Sequence, residues 1–219
     1  MINDLIIRRA EIKDIEFIIK GIIESEKSGT ARLSYSGIFF LSESNVKEIF
    51  GDILKENIPG QQFCLSNFLI AETGNEYAGT CCSWIEGETG IASSIIRASL
   101  LLDFIDSNNI EATKYRLKIA AEVNIPRENG TIQIENVFVE EKFRGKGISG
   151  MLIQKHIELQ KPAANVPKVQ IILSKTNENA FRSYLKSGFK IVEERTSDNR
   201  EILEFLPSDT NILMEKELE

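Results

Sequence analysis

Ile12, Ile15, Ile19 and Ile22 fall three or four residues apart, the spacing that aligns one face of a helix. This predicts a helix over 11–26, preceded by a short strand at 5–9. Ser42 or Ser44 can cap a second helix running to about residue 55, stopped before Pro59. Residues 63–72 and 76–85 then read as two strands joined by Thr73-Gly74-Asn75, a hairpin turn. Two helices follow over 91–106 and 109–123. Residues 131–139 alternate through Ile132 and Ile134 to Val137-Phe138-Val139, which predicts a strand. A glycine-rich turn at 144–150 opens a helix to about residue 160, and Pro162 and Pro167 bound a loop. Residues 169–173 form an apolar strand, and 177–186 a helix closed by Gly188. Residues 189–194 and 211–218 are the last strands, and 198–206 suit either strand or helix. Alternating strands and helices in the second half predict an α/β sheet that is at least partly parallel.

No repeat, low-complexity tract or Pro/Gly-rich linker divides the 219 residues, so the expectation is one domain over 1–219. With 42% hydrophobic residues the chain can bury a substantial core. A net charge of −7 argues against a general nucleic-acid or anionic-membrane binder. The charge is uneven, however: 131–200 is net basic between two net acidic segments, which would suit a small polyanion. Cys64, Cys81 and Cys82 include an adjacent pair awkward for a disulfide, which points to a reducing compartment. His156 is the only histidine, so no metal site is expected. The longest apolar stretch, 91–105, is interrupted by Arg97 and Asp103 and is too short to cross a bilayer. Residues 1–9 lack a secretory layout, and the expectation is a cytoplasmic protein.

The chemistry concentrates where the 131–139 strand runs through Arg144-Gly145-Lys146-Gly147-Ile148-Ser149-Gly150 into a helix. The first amides of a helix are unpaired and carry the positive end of its dipole. Glycines let that backbone approach a ligand that a Cβ would exclude. Such a turn binds phosphate or pyrophosphate, and Arg144 and Lys146 add positive charge at its rim. It has neither the Walker spacing nor that of a dinucleotide fold.

Val139, Arg144-Gly145-Lys146-Gly147-Ile148 and Leu152 resemble the pyrophosphate-binding motif of the GCN5-related N-acetyltransferases, which use acetyl-CoA. Asn177, Ala180, Tyr184 and Gly188-Phe189 resemble the stretch that completes the CoA site in that family. Ile7-Arg8, Ala10 and Asp14 near the start, and Leu213-Met214-Glu215-Lys216 with Leu218 near the end, are also similar to it. Glu141 departs from the pattern where the family usually has Pro, and Ser149 where it has Gly or Ala. The 86–130 span is longer than the family's usual connection and predicts a helical insertion before the fourth strand. The implied fold is a mixed, partly parallel sheet flanked by helices.

The resemblance also implies roles. The backbone of Val137, Phe138 and Val139 would pair with pantetheine and polarise the thioester carbonyl. The turn from Arg144 to Gly150 would hold the pyrophosphate. Asn177 would touch the pantetheine arm or simply cap its helix. Tyr184 would protonate the departing thiolate or, absent the resemblance, serve as a core aromatic. A phenol near pKa 10 and a thiol near 8.5 differ by roughly 2 kcal/mol, which a hydrogen bond in a dry site can offset. An amine of lysine-like pKa, about 10.4, must lose a proton before it attacks. Glu135 is the candidate base, with an ion-pair partner or solvated strand residue as the plain alternative. His156 reads as a packing or surface residue.

The resulting expectation is acetyl transfer from acetyl-CoA to a primary amine of a small molecule or peptide, by direct attack in a ternary complex. A non-catalytic CoA-binding regulatory or assembly module is the alternative. The 211–218 strand is expected at a sheet edge, where it could pair two copies into a homodimer.

Overall fold

The computed structural model describes residues 4–164 and 166–218. Strand β1 (Ile6–Arg9) pairs antiparallel with β2 (Phe68–Thr73), and β2 pairs antiparallel with β3 (Glu76–Ile85). Gly74 and Asn75 both have positive φ, 56° and 64°, as a tight hairpin turn between twisted strands requires. Next, β3 pairs antiparallel with β4 (Ile132–Val139), and β4 pairs parallel with β5 (Lys168–Ser174). The last strands, β6 (Lys190–Thr196) and β7 (Thr210–Glu217), are antiparallel to each other, and β7 also lies antiparallel to β5. The sheet order is β1-β2-β3-β4-β5-β7-β6. The expected mixed sheet is present, and β4–β5 is its one parallel pair.

Adjacent Cys81 and Cys82 show how the strand period divides the core. Successive side chains face opposite ways, so Cys82 joins one hydrophobic cluster with Phe68, Ile70 and Trp84, and Cys81 the other with Leu69 and Ala71. The first face is covered by α1 (Ile15–Lys27), α2 (Ser34–Phe39) and α3 (Glu43–Glu56). Ser42 caps α3 by accepting the Asn45 N–H at 3.2 Å. The opposite face is covered by α6 (Ile148–Ala164) and α7 (Glu178–Lys186). Between β3 and β4 lie the expected two helices, α4 (Ser93–Leu100) and α5 (Ile110–Ala120). They are built into the core: Leu100 and Phe104 join an aromatic group of Tyr35, Phe39, Phe50 and Phe63. Ile119 and Val123 pack on Ile202 and Phe205.

Three expectations need correction, and one element was not expected. Strand β2 starts at Phe68 instead of 63, because side chains capture the preceding backbone: Gln61 accepts the Phe63 N–H at 2.7 Å, and Asn57 accepts that of Ser66 at 2.8 Å. Helix α6 continues to Ala164, past the loop expected after 160. Helix α2 was not legible as an element; its Tyr35 and Phe39 are held by the aromatic group. The 211–218 strand is not at an edge, since β7 is hydrogen-bonded on both sides, to β5 and to β6. The edges are β1 and β6, so pairing of two copies through 211–218 has no free backbone to use. Residues 198–206 resolve into a 3-10 turn at Arg200–Glu204. Among the described residues no helix is long and apolar enough to cross a membrane.

Candidate active site

The parallel pair separates. Strands β4 and β5 are in register only over Ile132–Ile134 and Val169–Ile171, whereas β3 follows β4 to Val139 and β7 follows β5 to Ser174. Beyond residue 134 the β5-side backbone of β4 therefore has no strand partner among the described residues. A cavity of about 430 Å³ lies at this gap, within the range of small-molecule sites. One part is lined by Val137, Leu173, Asn177 and Tyr184, and the other by α1, α4 and the residues just before β4.

A bulge sharpens the divergence. Cys82 lies opposite Glu135 but Thr80 lies opposite Phe138, so β4 carries one extra residue. Asn136 absorbs it with φ of 52° and anchors the kink by donating to the Gln62 carbonyl at 3.2 Å. Asparagine tolerates this left-handed backbone better than most residues, the one signal of the bulge in the sequence. Val137 lines the cavity. The Phe138 side chain instead packs against Phe17 beneath α1, and the Val139 carbonyl accepts from Arg144 Nε at 3.1 Å.

At the glycine turn the first bond into α6 runs from Met151 N–H to the Gly147 carbonyl at 3.1 Å. Among the described residues, the amides of 145–150 have no backbone acceptor. Gly145 and Gly147 have φ of 77° and 81°, and a Cβ built at either meets no atom within 4 Å. The turn thus presents open amides to open space. The side chains around it set its shape: Lys146 lies 5.1 Å over the Phe143 ring, Ile148 is buried, and Ser149 bonds to Ser183 of α7 at 2.9 Å. Gly150 also faces α7, close to Ser187.

Glu135 and Tyr184 are brought to one cavity from β4 and α7. Tyr184 is only 6% exposed. Burial, with the nearby charge of Glu135 adding to it, pushes its phenol well above the ordinary value. Glu135 is ion-paired through Oε1 with Arg127, whose other nitrogen donates to Gln133 at 2.9 Å. Asn177 caps α7, accepting the Ala180 N–H at 3.3 Å, and also lines the cavity. His156 is a packing residue, buried with Nε2 2.9 Å from the Cys81 carbonyl. Glu26 on α1 and Arg97 on α4 also line the cavity, and neither was singled out as a site residue. Arg97 had a signal, as a charge interrupting an apolar run. Glu26 had none. Among the described residues no group of three or more His, Cys, Asp or Glu is placed to hold a metal.

The sequence from 41 to 189 matches the model of the Acetyltransferase (GNAT) family. No curated protein matches closely enough to count. Among solved structures, an N-acetyltransferase from Staphylococcus aureus Mu50 superposes with a TM-score of 0.65 at 16% identity, covering 96% of this chain and 100% of that one. A ribosomal-protein-alanine N-acetyltransferase from Brucella melitensis gives 0.53 at 14% identity over 97% and 99%. The yncA protein of Salmonella typhimurium, solved with its cofactor acetyl-CoA, gives 0.52 at 14% identity over 99% and 95%. At such identities the likeness is one of fold.

Proposed function

Because the chain belongs to the acetyltransferase (GNAT) family, we propose that it transfers an acetyl group from acetyl-CoA to a primary amine by direct attack within a ternary complex. The observation that carries this is the cavity at the β4–β5 gap, which holds Val137, Glu135 and Tyr184 together. The glycine turn suits the cofactor's charge: its amides are open, and the space a Cβ would take at 145 and 147 is empty. The backbone of 145–150 would hold the pyrophosphate, with Arg144 and Lys146 at its rim. Asn177 and the unpaired edge of β4 at Val137, Phe138 and Val139 would align the pantetheine arm, leaving the thioester near Glu135 and Tyr184.

Glu135 takes the amine proton, directly or through water; Arg127 engages its Oε1, and Oε2 has no partner among the described residues. The amine nitrogen bonds to the thioester carbon as the carbon–sulfur bond breaks, and the sulfur receives a proton from Tyr184. The phenol is protonated at neutral pH, and because burial raises its pKa and makes it a weaker acid, the transfer relies on the hydrogen bond it makes to the sulfur as the thiolate forms. The cavity walls would orient the reactants, and the β4 backbone would polarise the thioester carbonyl. No cysteine of this chain lines the cavity, which favours direct attack over a covalent cysteine carrier.

Titrating the pure protein with acetyl-CoA in a calorimeter, then following thiol release with a broad set of amines, tests the proposal. Binding together with amine-dependent thiol release is expected. Binding without release across the set would leave a CoA-binding module.

A further inference from the structure

Five charged side chains line the cavity, and three are already engaged. Glu86 accepts the Trp84 indole N–H at 3.0 Å and the Ser93 N–H at 2.8 Å. Arg127 and Glu135 hold each other. Glu26 and Arg97 remain. They come from elements far apart in the chain, the last turn of α1 and the middle of α4, and they meet only at this cavity. Ser93 and Arg97 are one helical turn apart on α4, and both line it. Among the described residues Arg97 makes no ion pair and no side-chain hydrogen bond. Its charge still acts on Glu26, so a negative and a positive group stand near each other without joining.

An unpaired guanidinium lining a cavity is a ready partner for a carboxylate or phosphate. A carboxyl at the C-terminal end of a helix, where the dipole also favours positive charge, is a ready partner for an ammonium. We propose that Glu26 and Arg97 form the acceptor subsite, and that the acceptor is an amine that also carries an anionic group. The amine lies toward Glu26 and the anion toward Arg97. This rests on the transferase reading above and narrows it to a substrate class. Burial and the neighbouring charge of Glu135 push the Glu26 carboxyl up to about 7, against the pull of Arg97. The carboxyl can thus change its charge near neutral pH as the ammonium arrives. The uncharged cavity residues Ser25, Ser28, Ser34 and Gln62 supply polar walls without competing charge.

The test uses the full chain, acetyl-CoA and matched acceptors: amino acids, phosphoethanolamine, and the same amines lacking the anion. Thiol release gives kcat/KM for each. The anionic member of a pair should be favoured at least tenfold, and the two anionic sets separate carboxylate from phosphate as the preferred group. Arg97→Gln should reduce that ratio at least tenfold, Arg97→Lys should keep most of it, and Arg97→Glu should move preference toward diamines. A wild-type preference for the uncharged member, or a ratio that survives Arg97→Gln, overturns the subsite. So does acetyl-CoA binding without release from any anionic amine. Loss of acetyl-CoA binding to the wild-type chain in the calorimeter would instead sink the transferase reading itself.

Discussion

Arg127 is ion-paired with Glu135 while its guanidinium lies 5.0 Å from the Trp84 ring centroid. The last residues before β4 thereby hold the candidate base, and a buried aromatic of β3 supports the arginine from its flat side. Both ends of the pair are mostly buried, at 12% and 17% side-chain exposure. Removing one partner strands the other charge. Arg127→Gln should therefore lower stability by about 1–3 kcal/mol, read from the urea midpoint at unchanged slope.

Glu135→Gln keeps the shape of that pair and removes the proton acceptor. Turnover should fall most near neutral pH and recover as pH approaches the acceptor's own pKa, since the amine then arrives neutral. A pH–rate profile parallel to wild type would assign the proton to another group.

Tyr184→Phe retains the ring that packs 6.1 Å from Phe189 and deletes only the hydroxyl. Stability should change little. Loss of general acid catalysis is typically worth about a hundredfold to ten-thousandfold, and it should appear in kcat with acetyl-CoA affinity nearly intact. Full turnover, with chemistry rate-limiting, would return Tyr184 to a packing role.

Gly147→Asp places a negative charge where the backbone is open. The space is free, but φ of 81° is left-handed, so strain of about 1–3 kcal/mol adds to the repulsion of phosphate. Aspartate tolerates this backbone, so the fold should persist while most acetyl-CoA affinity disappears. The remaining wild-type affinity should weaken as salt rises. Calorimetry on a variant with normal circular dichroism checks both, and unchanged affinity would clear the turn of its assignment.

His156, which is buried, and Glu26, which is half-buried at the cavity, pull stability in opposite directions over one pH window. Burial lowers His156 from 6.5 to about 4, with its Cys81 hydrogen bond opposing. Its contribution is full above 6.5 and is lost as pH falls through 4, about 3 kcal/mol in all. Glu26, beside Glu135 and Arg97, is raised from 4.5 to about 7. Its contribution, of similar size, is full below 4.5 and is lost as pH rises through 7. Between pH 4.5 and 6.5 the slopes oppose. Glu26→Gln should make stability rise more steeply with pH there, and His156→Gln should make it fall. Urea melts at the two ends of the window measure both, and parallel curves for all three proteins would contradict the assignment.

Most local elements were legible because their signals are local. Ser42, the Gly74-Asn75 turn, the period of α1 and the alternation of β4 each act within a few residues. The glycine turn and Tyr184 were legible because family residues recur there in order. Elements set by distant contacts were not. Helix α2 spans only six residues and owes its place to Phe50, Phe63 and Phe104. The bulge at Asn136 depends on pairing with β3, and the meeting of Glu26 and Arg97 at one cavity depends on where the tertiary fold sets α1 and α4. The two residues are 71 positions apart, and no spacing rule links them.

The position of β7 bears on how the molecule assembles. During synthesis β5 and β6 emerge before the strand that joins them, so each initially exposes an unsatisfied edge. Such non-local closure slows folding and prolongs exposure to aggregation. Asn211, which lines the cavity, arrives with that closing strand. The α1 face fills only when Leu100, Phe104 and Phe138 have followed β3, and the cavity gains its Asn211 wall only with the 210–217 segment. A ligand of this cavity would then act on a late event, trapping the closed sheet instead of guiding its formation.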